Sequence, residues 1–267
     1  QERSGPLAGL LAIDIAIEEG VALISLNRAP ANAYDMQMLR DLTDSVRRVR
    51  EDSAIRLAVV RSALPRFFCT GADISTLQDS DRAGFANFLA VAHEAVDMIT
   101  KTPKLFIAAI SGHCIGGGLE IALSCDFRFA SGGKYRLGLA EVNLGLSPGM
   151  GGTQRLPRLI PRSRALHLMV TGETLPPEEA LAAGIVDRVF PEATFWDDVM
   201  VQARKLAAGA TMAQGYIKLS VNAGLETSLS EGLSIERAHQ NQLFASEDVG
   251  EGLKAFLEKR PAKFAGK

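Results

Sequence analysis

At 267 residues the chain is long enough to bury a substantial core, in one large domain or two small ones. Hydrophobic residues make up 47%, charged residues 22%, and the net charge is −2. This is the balance of an ordinary globular protein, with no general attraction for nucleic acid or anionic membrane. No apolar run approaches the ~20 residues of a membrane span.

Three cysteines (Cys69, Cys114, Cys125) without C-x-x-C spacing argue against a disulfide scaffold or a zinc site and suit a reducing compartment. The N-terminal QERSGPLAG lacks a basic-then-apolar signal pattern, so a cytoplasmic location is expected, or the mitochondrial matrix if a transit peptide was removed. Local basic clusters do occur, at Arg155, Arg158, Arg162 and Arg164 and at Lys254, Lys259, Arg260 and Lys263.

Residues 11–17 (LAIDIAI) and 21–27 (VALISLN) alternate around Glu18-Glu19-Gly20, which predicts a β-hairpin. After the loop RAPANAYD, Met36, Leu39, Leu42, Val46 and Val49 recur at helical spacing, with Asp35 as cap. Residues 55–61 read as a short buried strand, 62–73 as a loop, and 82–100 as a long helix. A second buried strand, 104–110, leads into three glycines (Gly116, Gly117, Gly118) and the helix-compatible LEIALS.

Further strands are expected at 127–130, 135–137 and 185–190, and a short helix opens at Pro176-Pro177 and ends at Gly184. The segment 141–158, rich in glycine, reads as a long functional loop. From Ala193 onward the pattern is helical throughout. About 190 residues of alternating strand and helix are thus followed by a helical layer, dividing the chain into 1–193 and 194–267.

Three consecutive glycines are costly in backbone entropy. They make sense where backbone must approach something closely, or where free N–H groups at a helix start face negative charge. Glu120 would then sit on the first turn beside those donors. The alternative is a tight turn and no more. FCTGAD (68–73) follows a strand and precedes a helix, the place where α/β folds bind ligands, although a turn capped by Asp73 would read the same way.

Glu141 heads the long glycine loop, and two carboxylates in one pocket can divide acid and base roles. G-x-S-x-G at 145–149 fails as a nucleophile elbow, because Pro148 has no N–H to donate to an oxyanion. His93, His113, His167 and His239 match no metal-ligand pattern.

Taken together, FCTGAD, SGHCIGGGLEIALSCD, GLAEVNLGLSPGMGGTQRLPRLI and TGETLPPEEALAAGIVDRVF resemble the crotonase superfamily, the enoyl-CoA hydratase and isomerase family. Order and approximate spacing match for all four, and the resemblance runs from Leu11 to Phe264. It implies an α/β fold, a spiral of strand–strand–helix units with a helical C-terminal trimerisation region, commonly paired into hexamers. It implies no metal or redox cofactor, coenzyme A being part of the substrate.

By the same resemblance, the N–H groups of Ala72 and Gly117 form an oxyanion hole for an acyl-CoA thioester. Glu120 takes the water and Glu141 the proton at Cα. Isomerases of the family typically use one carboxylate, at the Glu141 position, so the pair favours a hydratase acting on a trans-2-enoyl-CoA.

The resemblance further suggests that Ala72, Asp73, Ile74 and Ser75 hold the pantetheine and adenine end of CoA, with Ala31, Ala33 and Tyr34 lining the adenine side. Lys263 and Phe264 become candidates to hold the nucleotide, often of a neighbouring subunit. The Leu139-Ala140 spacing before Glu141 departs from the family pattern and leaves acyl length open, as do Leu77, Phe85, Phe88 and the Met150 loop. The rivals are an enoyl-CoA or dienoyl-CoA isomerase and a non-catalytic acyl-CoA or RNA-binding member. The net charge and the lack of a basic–aromatic stripe disfavour RNA.

Overall fold

The computed structural model of the protein describes residues 12–267, so the N-terminal QERSGPLAG and the first residue of the expected hairpin lie outside it. Strands β1 (Ile13–Glu18) and β2 (Val21–Leu26) pair antiparallel. Their turn, Glu19-Gly20, has φ of 49° and 81°, the positive values that match a tight hairpin to the twist of its strands. Helix α1 (Met36–Glu51) starts as expected at Asp35, whose carboxylate accepts from the Met38 N–H at 2.9 Å.

The chain continues through β3 (Leu57–Ser62), β4 (Phe67–Cys69), α2 (Ile74–Gln78), α3 (Arg82–Lys101), β5 (Leu105–Ile110), β6 (His113–Ile115) and α4 (Gly117–Ser124). Then come β7 (Phe127–Ser131), β8 (Leu137–Gly138), a 3-10 turn at Glu141–Leu144, α5 (Gly152–Leu159), α6 (Arg162–Thr171), α7 (Pro177–Ala182) and β9 (Arg188–Phe190). Four helices finish it: α8 (Phe195–Ala207), α9 (Thr211–Gly224), α10 (Leu229–Phe244) and α11 (Glu247–Leu257).

Six strands form one sheet in the order β1-β2-β3-β5-β7-β9, parallel except for the β1–β2 hairpin. Its inner strands are apolar on both faces, because alternate residues enter two different cores. Ala22, Ile24, Ala58, Val60, Phe106 and Ala108 face α1 and α3, while Val21, Leu23, Leu57, Val59, Ile107 and Ala109 face α8. Helix α8 is therefore packed into the body of the molecule through Val199, Met200 and Ala203.

A second sheet holds only β4, β6 and β8, all parallel. Each large-sheet strand β3, β5 and β7 is followed by one of these short strands and then by helix or turn, which is the strand–strand–helix spiral of the crotonase fold. Two expectations need correction. The loop expected at 62–73 contains β4. The loop expected at 141–158 contains the 3-10 turn and the first seven residues of α5, which begins on Gly152 because that backbone must lie against Glu120.

Two buried cations tie the layers together. Arg128 on β7 makes a bidentate pair with Asp187 and donates to the Ile185 and Cys125 carbonyls. Lys218 on α9 has a side chain only 2% exposed; it donates to the carbonyls of Ile99 (2.8 Å) and Lys104 (2.9 Å) and pairs with Asp126 at 3.0 Å. Removing it would leave Asp126 buried without its cation, a loss of about 3 kcal/mol for a broken buried pair. Lys218→Ala should therefore lower Tm by roughly 6–12 °C at equal protein concentration. A variant melting with the wild type would show that the pair does not stabilise the fold.

Candidate active site

The site forms where the three short strands end. β4 and β6 run parallel with Cys69 opposite Cys114, and Ala72 and Gly117 each lie three residues beyond those partners. The Tyr34 N–H donates to the Gly71 carbonyl and the Asp73 N–H to the Tyr34 carbonyl, both at 2.8 Å, which fixes Ala72 between two anchored neighbours. Among the described residues the Ala72 N–H has no acceptor, and neither has the Gly117 N–H, at the first position of α4. The two segments nearly touch: a Cβ on Gly71 would lie 3.2 Å from the Gly117 nitrogen. Two free donors from different strand ends thus converge at the positive end of a helix dipole.

Each glycine of the run answers a separate demand. Gly116 adopts φ 57°, ψ −130°, a conformation that residues with a Cβ avoid. A Cβ on Gly117 would lie 1.9 Å from the Tyr34 hydroxyl oxygen, and one on Gly118 would lie 2.1 Å from the Cys69 carbonyl oxygen.

The carboxylates flank this backbone in unlike surroundings. Glu120, on the first turn of α4, is 2% exposed, and its Oε1 accepts from the N–H groups of Met150 and Gly152, both at 2.7 Å. Burial pushes its pKa up, while those N–H donors at the start of α5 favour the charged form. Glu141, at the head of the 3-10 turn, lies over the run; a Cβ on Gly116 would lie 3.2 Å from its Oε1. Both of its carboxyl oxygens are buried and, among the described residues, without a hydrogen-bond partner. Burial first, and the Glu120 charge after it, lift its pKa to about 7. One carboxylate is anchored and the other is bare, an arrangement that suits a base and an acid held in one pocket.

Tyr34, expected on the adenine side, instead points its hydroxyl at Gly117. The Met150 and Gly152 donors to Glu120 have no signal in the sequence beyond the glycine-rich loop around them. Asp73 caps α2 by accepting from the Ser75 N–H and hydroxyl, and it pairs with Arg28 at 2.9 Å. Arg28 also donates to the Ala33 carbonyl, and the Thr70 hydroxyl donates to that of Ala31, so residues 28–35 and 70–75 form one surface beside the site. Ile74 and Ser75 are exposed on it.

Lys263 and Phe264 are not brought there within one chain. The Lys263 N–H donates to Glu251 on α11, and the Phe264 and Ala265 carbonyls accept from Arg56, before the amino end of β3.

The family model described as enoyl-CoA hydratase/isomerase matches residues 16–267. A crotonyl-CoA hydratase of Syntrophomonas wolfei is 35% identical, over 94% of this chain and 96% of that one. A mitochondrial methylglutaconyl-CoA hydratase of Mus musculus is 35% identical, over 92% and 80%. The crystal structure of an enoyl-CoA hydratase from Geobacillus kaustophilus HTA426 superposes with a TM-score of 0.94 at 42% identity, covering 96% of this chain and 97% of its own. One from Bacillus anthracis gives 0.91 at 32%, covering 96% and 100%. The chain belongs to the enoyl-CoA hydratase/isomerase family, and its general chemistry is that of the crotonase enzymes.

The bare Glu141 has a consequence for stability. Its folded pKa of about 7 lies above the ordinary 4.5, so the folded state holds the proton more tightly and loses stability as pH rises from about 4.5 to 7. Glu141→Gln removes that loss. The Tm of the variant minus that of the wild type should widen from pH 5 to pH 8. A difference that does not change with pH would contradict the bare, buried carboxyl.

Proposed function

We propose that the protein adds water across the 2,3 double bond of a trans-2-enoyl-CoA to give a 3-hydroxyacyl-CoA. The observation that carries this reading is the meeting of two unpaired N–H groups, at Ala72 and Gly117, with two buried carboxylates in opposite surroundings. A thioester oxygen accepting from both N–H groups is polarised, which makes Cβ electrophilic and stabilises the enolate that follows attack.

Glu120, in its ionised form and with Oε1 fixed by two N–H donors, orients a water and takes its proton as the oxygen bonds to Cβ. Glu141, neutral below about pH 7, gives a proton to Cα as the double bond is lost. Water is thereby divided across the bond. Glu120 ends protonated and Glu141 ionised, and one proton passed back between them or through solvent restores the site.

The CoA moiety is assigned to the surface made by Ala31, Ala33 and residues 72–75, with its nucleotide reached by Lys263 and Phe264 of a neighbouring subunit. Support for a trimer, or a pair of trimers, comes from the helices of 194–267, which leave Ile217, Phe244 and Phe256 between 62% and 82% exposed. The acyl group is left open by the relatives, whose names cover both crotonyl-CoA and methylglutaconyl-CoA.

Purified protein should consume crotonyl-CoA or a branched enoyl-CoA, followed as loss of the conjugated-thioester absorbance. Glu120→Gln and Glu141→Gln should each lower kcat by about 100-fold or more. Wild-type turnover in both variants would end the two-glutamate assignment. Conversion of a 3-enoyl-CoA to the 2-enoyl isomer without net water addition would instead make the protein an isomerase.

A further inference from the structure

Tyr34 has no part in the mechanism above, yet it touches both halves of the site. Its backbone brackets Ala72 through the Gly71 carbonyl and the Asp73 N–H. Its ring is 4% exposed and stacks on Phe88 with centroids 6.0 Å apart. Its hydroxyl oxygen lies over the Cα of Gly117, one bond from the N–H that faces the thioester, at the spot where a methyl group would be 1.9 Å away.

Buried phenols nearly always find a hydrogen-bond partner. Among the described residues this one has none, and unlike the Glu141 oxygens it is not sealed from solvent. Its O–H is thus free to meet a molecule bound beside Gly117. Burial, with the nearby Cys69, Glu120 and Glu141, pushes the phenol pKa well up, so it stays protonated.

We propose that Tyr34 is a further catalytic residue, whose O–H donates to the thioester oxygen beside the Ala72 and Gly117 N–H groups as that oxygen gains enolate charge. The inference rests on the hydratase reading. The hydroxyl lies over Gly117, whose N–H the hydratase reading assigns to the thioester oxygen, which favours the oxyanion over the attacking water as its partner. A neutral donor there strengthens as charge develops and asks nothing of the ground state.

Tyr34→Phe keeps the ring and its stacking and removes only the hydroxyl. Loss of one oxyanion donor typically costs about 100- to 1,000-fold in kcat. With two N–H donors remaining, a fall on the order of 10- to 100-fold is expected, with KM for crotonyl-CoA within about threefold.

A second readout is independent of turnover. Acetoacetyl-CoA, whose enolate is distinguished from its keto form by ultraviolet absorbance, should require a higher pH to reach half-enolate on Tyr34→Phe than on the wild type. Wild-type kcat together with an unchanged enolate midpoint would overturn the proposal. So would a Phe variant that matches the wild type while Tyr34→Leu loses activity and thermal stability, since the ring would then be acting by packing alone. A wild-type protein that hydrates no enoyl-CoA would refute the parent reading, and the acetoacetyl-CoA midpoint would still decide the role of Tyr34.

Discussion

The architecture of the site depends on how closely α4 can approach β4. At Gly118 there is no room for even a methyl group before the Cys69 carbonyl, so helix and strand meet backbone to backbone. That approach sets Gly117 against Gly71-Ala72 and brings Glu120, on the first turn of α4, to the Met150 and Gly152 N–H groups. A side chain at Gly118 would push helix and strand apart, and the N–H groups of Ala72 and Gly117 would no longer lie side by side. Hydrogen bonds between backbones hold geometry to a few tenths of an ångström, and donors on flexible side chains do not.

The large sheet supplies the stiffness that such precision needs. Its strands feed two cores at once, so the frame beneath β4 and β6 is clamped from both faces. Charge is distributed on the same principle of full satisfaction or none. Lys218 and Arg128, remote from the chemistry, are buried with their hydrogen bonds made. The Glu141 carboxyl is buried with none among the described residues. The contrast separates groups that hold the fold from a group that, on the proposed mechanism, gives up its proton.

Much of this was legible in the residues. The β1–β2 hairpin, α1 with its Asp35 cap, α3, β5 and the C-terminal helices follow from period and capping. The glycine run with Glu120 announced a helix start facing something polar. The small sheet is less visible: the strand expected at 135–137 overlaps β8, but β4 and β6 have three residues each, too few for an alternation to register. Helix α5 reads as loop in the sequence because it opens on glycine, where closeness to Glu120 outweighs helix propensity. Tyr34 lay in a segment with no pattern of its own. Its position follows from a two-bond bridge to residues 71–73, a contact between elements that no local period encodes.

The bare carboxyl of Glu141 also links occupancy of the cavity to the solution outside it. A group that titrates near pH 7 because it is dry will titrate higher when an acyl chain dries it further. On the hydratase reading, a saturated acyl-CoA bound near neutral pH draws a fraction of a proton from the buffer, and the heat of binding varies with the buffer's own ionisation enthalpy. A heat independent of buffer would mean that Glu141 keeps its protonation state when the cavity fills.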